Sequence, residues 1–150
     1  MSVFRMEKMS LLIKYCLQIT FILGIAMTIF LGDILRFLLP YSSKEFIDMY
    51  VMLLTPCALL DLFILWELAS IMKTINNKNP FVEKNIRSFR NISLCCIGTS
   101  ILFGVKLFFY PTVLTIAFTY VLLIAGLSAL VFSQLFKKAV EYKNENDLTI

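Results

Sequence analysis

Thr112-Val113-Leu114-Thr115-Ile116-Ala117-Phe118-Thr119-Tyr120-Val121-Leu122-Leu123-Ile124-Ala125-Gly126-Leu127-Ser128-Ala129-Leu130-Val131-Phe132-Ser133-Gln134-Leu135-Phe136 runs for 25 residues without a charged side chain. A helix needs about 20 apolar residues to cross a hydrocarbon core of about 30 Å, so this stretch reads as a membrane span. Just before it lies a second apolar run, 92–110, and the link Tyr110-Pro111-Thr112 allows only a tight antiparallel hairpin. Two more runs, at about 13–32 and 46–72, make four spans, and 137–150 is left as a tail. Composition agrees: 59% of the 150 residues are hydrophobic and 16% charged, where an ordinary soluble domain carries about 25% charge. The expected fold is all-α, a polytopic membrane protein with one domain over 1–150. Its form is an antiparallel four-transmembrane-helix bundle with a short cytoplasmic amphipathic helix before the third span.

The basic head with Arg5, Lys8 and Lys14 imitates a signal peptide. The run behind it exceeds an h-region of about 7–15 residues and lacks a small-x-small cleavage site, which predicts a retained helix. Ser42-Ser43-Lys44-Glu45 reads as a capping box opening the second span, Ser42 and Glu45 satisfying free amides, and Pro56 is expected to kink that span. Eleven of the 14 Lys and Arg fall in the head, between spans two and three, or after span four. Arg36, Lys44 and Lys106 are left for the other side, so the positive-inside rule puts both termini and the middle loop in the cytoplasm. Tyr15 and Trp66 then belong to the inner headgroup level, and Tyr41, Tyr50 and Tyr110 to the outer one. The outer loop, about 33–45, carries the mixed apolar and charged segment Ile34 to Leu39, suited to lying on the membrane surface.

Histidine is absent, which removes the commonest metal ligand and general base together. Cys16, Cys57, Cys95 and Cys96 lie in apolar stretches without C-x-x-C spacing and read as small apolar side chains. No metal, cofactor or catalytic residue is expected, and the chain is not read as an enzyme. The net charge of +4 is an orientation signal, with the lipid bilayer as partner and no direct contact to nucleic acid.

Small residues recur every four positions as Gly24, Thr28 and Gly32, as Cys96, Ser100 and Gly104, and as Ala125, Ala129 and Ser133. Such stripes let helices approach closely in lipid, either inside the bundle or at the face of a homo-oligomer. Asp61 lies about 18 Å into its span, where a carboxylate costs about 2.5–3.5 kcal/mol. Two readings stay open: a protonated structural aspartate bonded to Ser100 or Thr99, or a proton or ligand site. Lys106, the intramembrane cation, sits about 12 Å shallower, so a direct pair would require a kink at Pro56. Glu67, beside Trp66, is read as interfacial and solvated.

Between spans two and three, Asn79 and Pro80 make an N-cap and first-turn pair for a new helix. Val82, Ile86 and Phe89 form its apolar face, with Lys84, Arg87 and Arg90 on another. Headgroup anchoring or docking of a cytoplasmic partner are its two possible roles. The tail starts basic and ends Glu145-Asn146-Asp147-Leu148-Thr149-Ile150, a helix extension fraying into an exposed end.

Asn79-Pro80-Phe81-Val82, followed by Asn85, Arg87 and Arg90, together with the terminal Asp147-Leu148-Thr149-Ile150, resembles the YoaS-like family of small four-span bacterial membrane proteins, a domain of unknown function. The resemblance implies a multi-pass protein of the bacterial cytoplasmic membrane, often encoded beside a small helix-turn-helix regulator, and it carries over no catalytic residue. The function expected is a regulatory or interaction module meeting that regulator through the middle loop and the tail. Two alternatives are a subunit of a small proton-coupled exporter using Asp61 and an immunity protein against a membrane-active peptide.

Overall fold

A computed structural model describes the backbone of residues 3–77 and 79–148 and the side chains of residues 11–77 and 79–146. Five helices account for nearly all of it: α1 Val3–Ile29, α2 Leu31–Leu38, α3 Lys44–Asn76, α4 Glu83–Phe109 and α5 Val113–Leu148. Four of them, α1, α3, α4 and α5, are long and apolar enough to cross a membrane, and no strand occurs among the described residues. This is the all-helical, four-span architecture the hydropathy pattern predicts.

The spans pack in chain order, α1 on α3, α3 on α4 and α4 on α5, and among the described residues α5 touches no helix except α4. The bundle is therefore an open row. Neighbours are antiparallel, as three pairs of contacts show. Phe21 meets Trp66 and Gly24 meets Leu62 between α1 and α3, Glu67 meets Asn91 and Thr74 meets Asn85 between α3 and α4, and Ile86 meets Ser133 and Lys106 meets Thr115 between α4 and α5, so that each step up one helix is a step down the next. The start of α1, the end of α5 and the α3–α4 loop thus share one end, called here the basic end; the α1–α3 and α4–α5 turns share the far end.

A small apolar core of Ile71, Ile92, Cys96 and Ala129, with Ile64, Leu68 and Phe89 against it, joins α3, α4 and α5 toward the basic end. Nothing between Leu11 and Ile29 is buried. Span one is shorter than its apolar run, because the chain breaks at Phe30 and continues as α2, so Gly32 belongs to the second helix. That helix buries no residue, and its Phe37 and Leu38 are exposed.

The cap of α3 differs from the expected one. Ser43, with extended backbone, is the N-cap, and its Oγ accepts from the amide of Phe46 at 3.3 Å. Glu45 therefore falls one position short of the place from which a reciprocal bond is made. The helix runs uninterrupted through Pro56 to Asn76, a full turn past the expected end. The basic segment after Pro80 is helical, as predicted, but it is the first part of α4 itself and continuous with the third span. Its cap is Val82, not Asn79.

Candidate functional site

At the basic end the structure collects polar side chains between helices. Asn85 is fully buried; its Nδ2 donates to the Pro80 carbonyl at 2.6 Å and to Thr74 Oγ1 at 2.7 Å. One amide thus fixes the α3–α4 loop to the last turns of α3. This explains why Asn79 does not cap: the Pro80 carbonyl turns back to Asn85, and Asn79 Oδ1 accepts from Lys143 Nζ of α5 at 3.0 Å. Phe81 stacks near Phe136, with ring centroids 5.8 Å apart, and Phe136 in turn meets Phe89 at 4.9 Å. Val82, Ile86 and Phe89 are partly covered, and the Ile86 carbonyl accepts from Ser133 Oγ at 3.0 Å. The apolar face of this segment is therefore spent on protein. Lys84, Arg87 and Arg90 remain exposed. Beyond Phe136, α5 stays helical through Leu148 and carries the exposed Lys137–Glu141 pair, 4.0 Å apart. Of the terminal motif, Asp147 and Leu148 belong to the helix with undescribed side chains, while Thr149 and Ile150 lie outside the described residues. The same holds for the side chains of Arg5 and Lys8.

Glu67 is not solvated. It is 9% exposed and accepts from Asn91 Nδ2 at 2.6 Å, joining α3 to α4. The reason is length: α3 continues nine residues past Glu67, so the carboxylate lies inside the helix pair rather than at its rim.

Asp61 is exposed on α3, beside a cavity of about 170 Å³ shared with α1 and lined also by Gly24, Thr28 and Ala58. Neither expected partner reaches it. Ser100 Oγ donates to the Thr119 carbonyl at 3.0 Å, and Thr99 Oγ1 to the Cys95 carbonyl at 3.0 Å. Among the described residues Asp61 has no ion pair, and Lys106 is engaged elsewhere, its Nζ 2.9 Å from Thr115 Oγ1 and 5.0 Å from the centre of the Tyr50 ring. Around it Phe46, Tyr50 and Tyr110 form an aromatic cluster at the far end.

The small-residue stripes divide. A side chain at Gly24 would come within 2.9 Å of Leu62, and Thr28 bonds back to the Gly24 carbonyl, so this stripe faces α3. Cys96 and Ser100 are buried, but Gly104 has nothing within 4 Å of an added side chain. Ala129 and Ser133 are buried, whereas Ala125 is exposed and its neighbour Gly126 takes the contact. From Thr115 to Phe136 the buried or half-buried positions of α5 are Thr115, Thr119, Leu122, Gly126, Ala129, Ser133 and Phe136, steps of four and three in alternation. That is the seam of a coiled coil rather than a four-residue stripe. Asn85, Asn91, Thr74 and Gly126 are the contact makers that spacing by fours passes over. A heptad count along α4 and α5 would have found Gly126, and polar residues at the ends of facing helices are the signal for the others.

The model of one family, described as Protein of unknown function (DUF2975), matches residues 35–150. No curated protein and no solved structure matches the chain. The matched stretch holds α3, α4, α5 and the latter part of α2, and begins after α1.

Proposed function

The chain belongs to the DUF2975 family of proteins of unknown function, and from that premise we propose that it is a regulatory interaction module of the bacterial cytoplasmic membrane. Its basic end, in the cytoplasm, holds a small helix-turn-helix regulator. The observation that carries this reading is the built platform there. From Lys137 to Leu148 α5 continues as a helix for about 18 Å. The α3–α4 loop is tied to α5 by Asn79, on Lys143, and by Phe81, on Phe136, so the helix start that bears the exposed Lys84, Arg87 and Arg90 is anchored beside the extension. A loop serving only as a connection needs no such anchoring, and prearranged charges lower the ordering cost of docking. The resemblance of the Asn79 to Arg90 segment to the YoaS-like family supports the class of partner, and the positive-inside rule supports the orientation.

The test is recovery of the regulator encoded beside the gene on the full-length membrane protein in detergent. Exchange of Lys84, Arg87 and Arg90 for Glu, or removal of 137–150, is expected to abolish it; undiminished recovery from both variants refutes the reading. A second reading, a proton-coupled exporter subunit, is favoured by one observation, the unpartnered Asp61 beside a cavity. Efflux of a lipophilic cation unaffected by Asp61→Asn removes that reading.

A further inference from the structure

At the far end of the row, α3 and α4 enclose a cavity of about 340 Å³, within the range of about 300–1,000 Å³ typical of small-molecule sites. Met52, Leu53 and Pro56 of α3 and Leu102 and Val105 of α4 give it apolar walls. Lys106 supplies the single charge of the lining. The mouth opens on the outside of the row, where Met52 is 81% exposed and Val105 45%. By position in the helices this outside faces hydrocarbon, not water.

The charge of Lys106 is solvated only in part. Thr115 Oγ1 takes one of its three donors and the Tyr50 ring offers its π face, but neither carries a countercharge. No carboxylate lies within 4.0 Å of it among the described residues. Lys106 stands in the last turn of α4, at a depth from which a long cationic side chain reaches the headgroup level. The cleft is also polar at one end only: Lys106, Tyr50 and Tyr110 sit near the far end of the helices, while Leu53, Pro56 and Leu102 lie deeper. A membrane lipid has that same polarity along the bilayer normal, with its charge at the rim and its chains toward the centre.

We propose that this cleft binds an anionic phospholipid of the surrounding bilayer, its phosphate on Lys106 and one acyl chain along Met52, Leu53 and Leu102. The site stands apart from the regulator platform, at the opposite end of the row. A soluble anion would gain nothing from the apolar walls, and a zwitterionic lipid would bring its own cation to Lys106.

The full-length chain in phosphatidylcholine vesicles is irradiated with a trace of phosphatidylglycerol bearing a photoreactive acyl chain, or with the phosphatidylcholine counterpart. Labelled peptides are then mapped by mass spectrometry. The anionic probe is expected to label Met49 to Pro56 and Leu102 to Phe109 about fivefold more than the zwitterionic one, the factor one lysine gives toward an anionic headgroup. Lys106→Gln is expected to abolish that preference, and Met52→Trp, which fills the cleft and keeps the charge, to remove the labelling of these peptides by both probes. Equal labelling by the two probes, or a preference that survives Lys106→Gln, overturns the proposal. Labelling unchanged in Met52→Trp overturns it too, since Lys106 would then merely attract headgroups to the surface. Helicity by circular dichroism confirms that each variant is folded.

Discussion

Along α4 and α5 contact is continuous from Thr115 beside Lys106 to Ser133 on the Ile86 carbonyl, and Gly126 leaves no room for a side chain against Ile97, Cys96 and the Ser93 carbonyl. Along α1 and α3 Gly24 approaches the flexible end of Leu62, the Phe21 and Trp66 rings lie 6.3 Å apart, and no residue of α1 from Leu11 onward is buried. Both pairs are antiparallel and apolar. The difference lies in small and hydroxyl side chains: in lipid, hydrophobicity does not hold one helix to another, and what does is close backbone approach with hydrogen bonds across it. Thr115, Ser133 and Gly126 provide that on α5. On α1, Thr20 and Thr28 return their hydroxyls to their own helix. The family match begins after α1, on the same side of this divide.

The comparison breaks first at Gly126. Gly126→Leu is expected to cost about 3 kcal/mol by overpacking, with backbone and Cys96 unable to yield, whereas Gly104→Leu, facing open space, stays within about 0.5 kcal/mol. Thermal unfolding in bicelles followed by circular dichroism separates the two, and equal losses would end the distinction between seam and surface. Next comes Asn85→Ala, which leaves the Pro80 carbonyl and Thr74 hydroxyl without their buried donor at about 2 kcal/mol. Limited proteolysis should then cut the 77–82 loop faster, and an unchanged rate would show that the loop is held by something other than Asn85. Ser133→Ala removes one interhelical bond, worth about 0.6 kcal/mol, and is read in the same unfolding experiment. A loss of several times that would make the hydroxyl part of a larger network. Smallest is Gly24→Ala, below about 0.5 kcal/mol because Leu62 can rotate aside. A loss as large as that at Gly126 would show α1 to be seated as firmly as α5.

Span number and order were legible because lipid imposes length and apolarity on every crossing. The uncharged run from Thr112 to Phe136 leaves no other reading. What spacing could not decide was which neighbour each polar residue meets. A four-residue period selects Ala125, but two helices crossing at a shallow angle meet every 3.5 residues, and the seam passes to Gly126. Glu67 looks interfacial only if the span stops at Met72; the four further residues of α3 put it against Asn91. Asn79 and Pro80 have the local chemistry of a helix start, yet a buried amide six residues from Asn79 takes the Pro80 carbonyl and moves the start to Glu83. Asp61 was identified from depth alone. Its neighbours were not, since its two candidate partners both bond to backbone instead.

Because, among the described residues, each span rests only on those next to it in the chain, assembly can keep pace with synthesis. A newly inserted helix finds its docking surface already in the bilayer and never has to displace an earlier pair to reach its place.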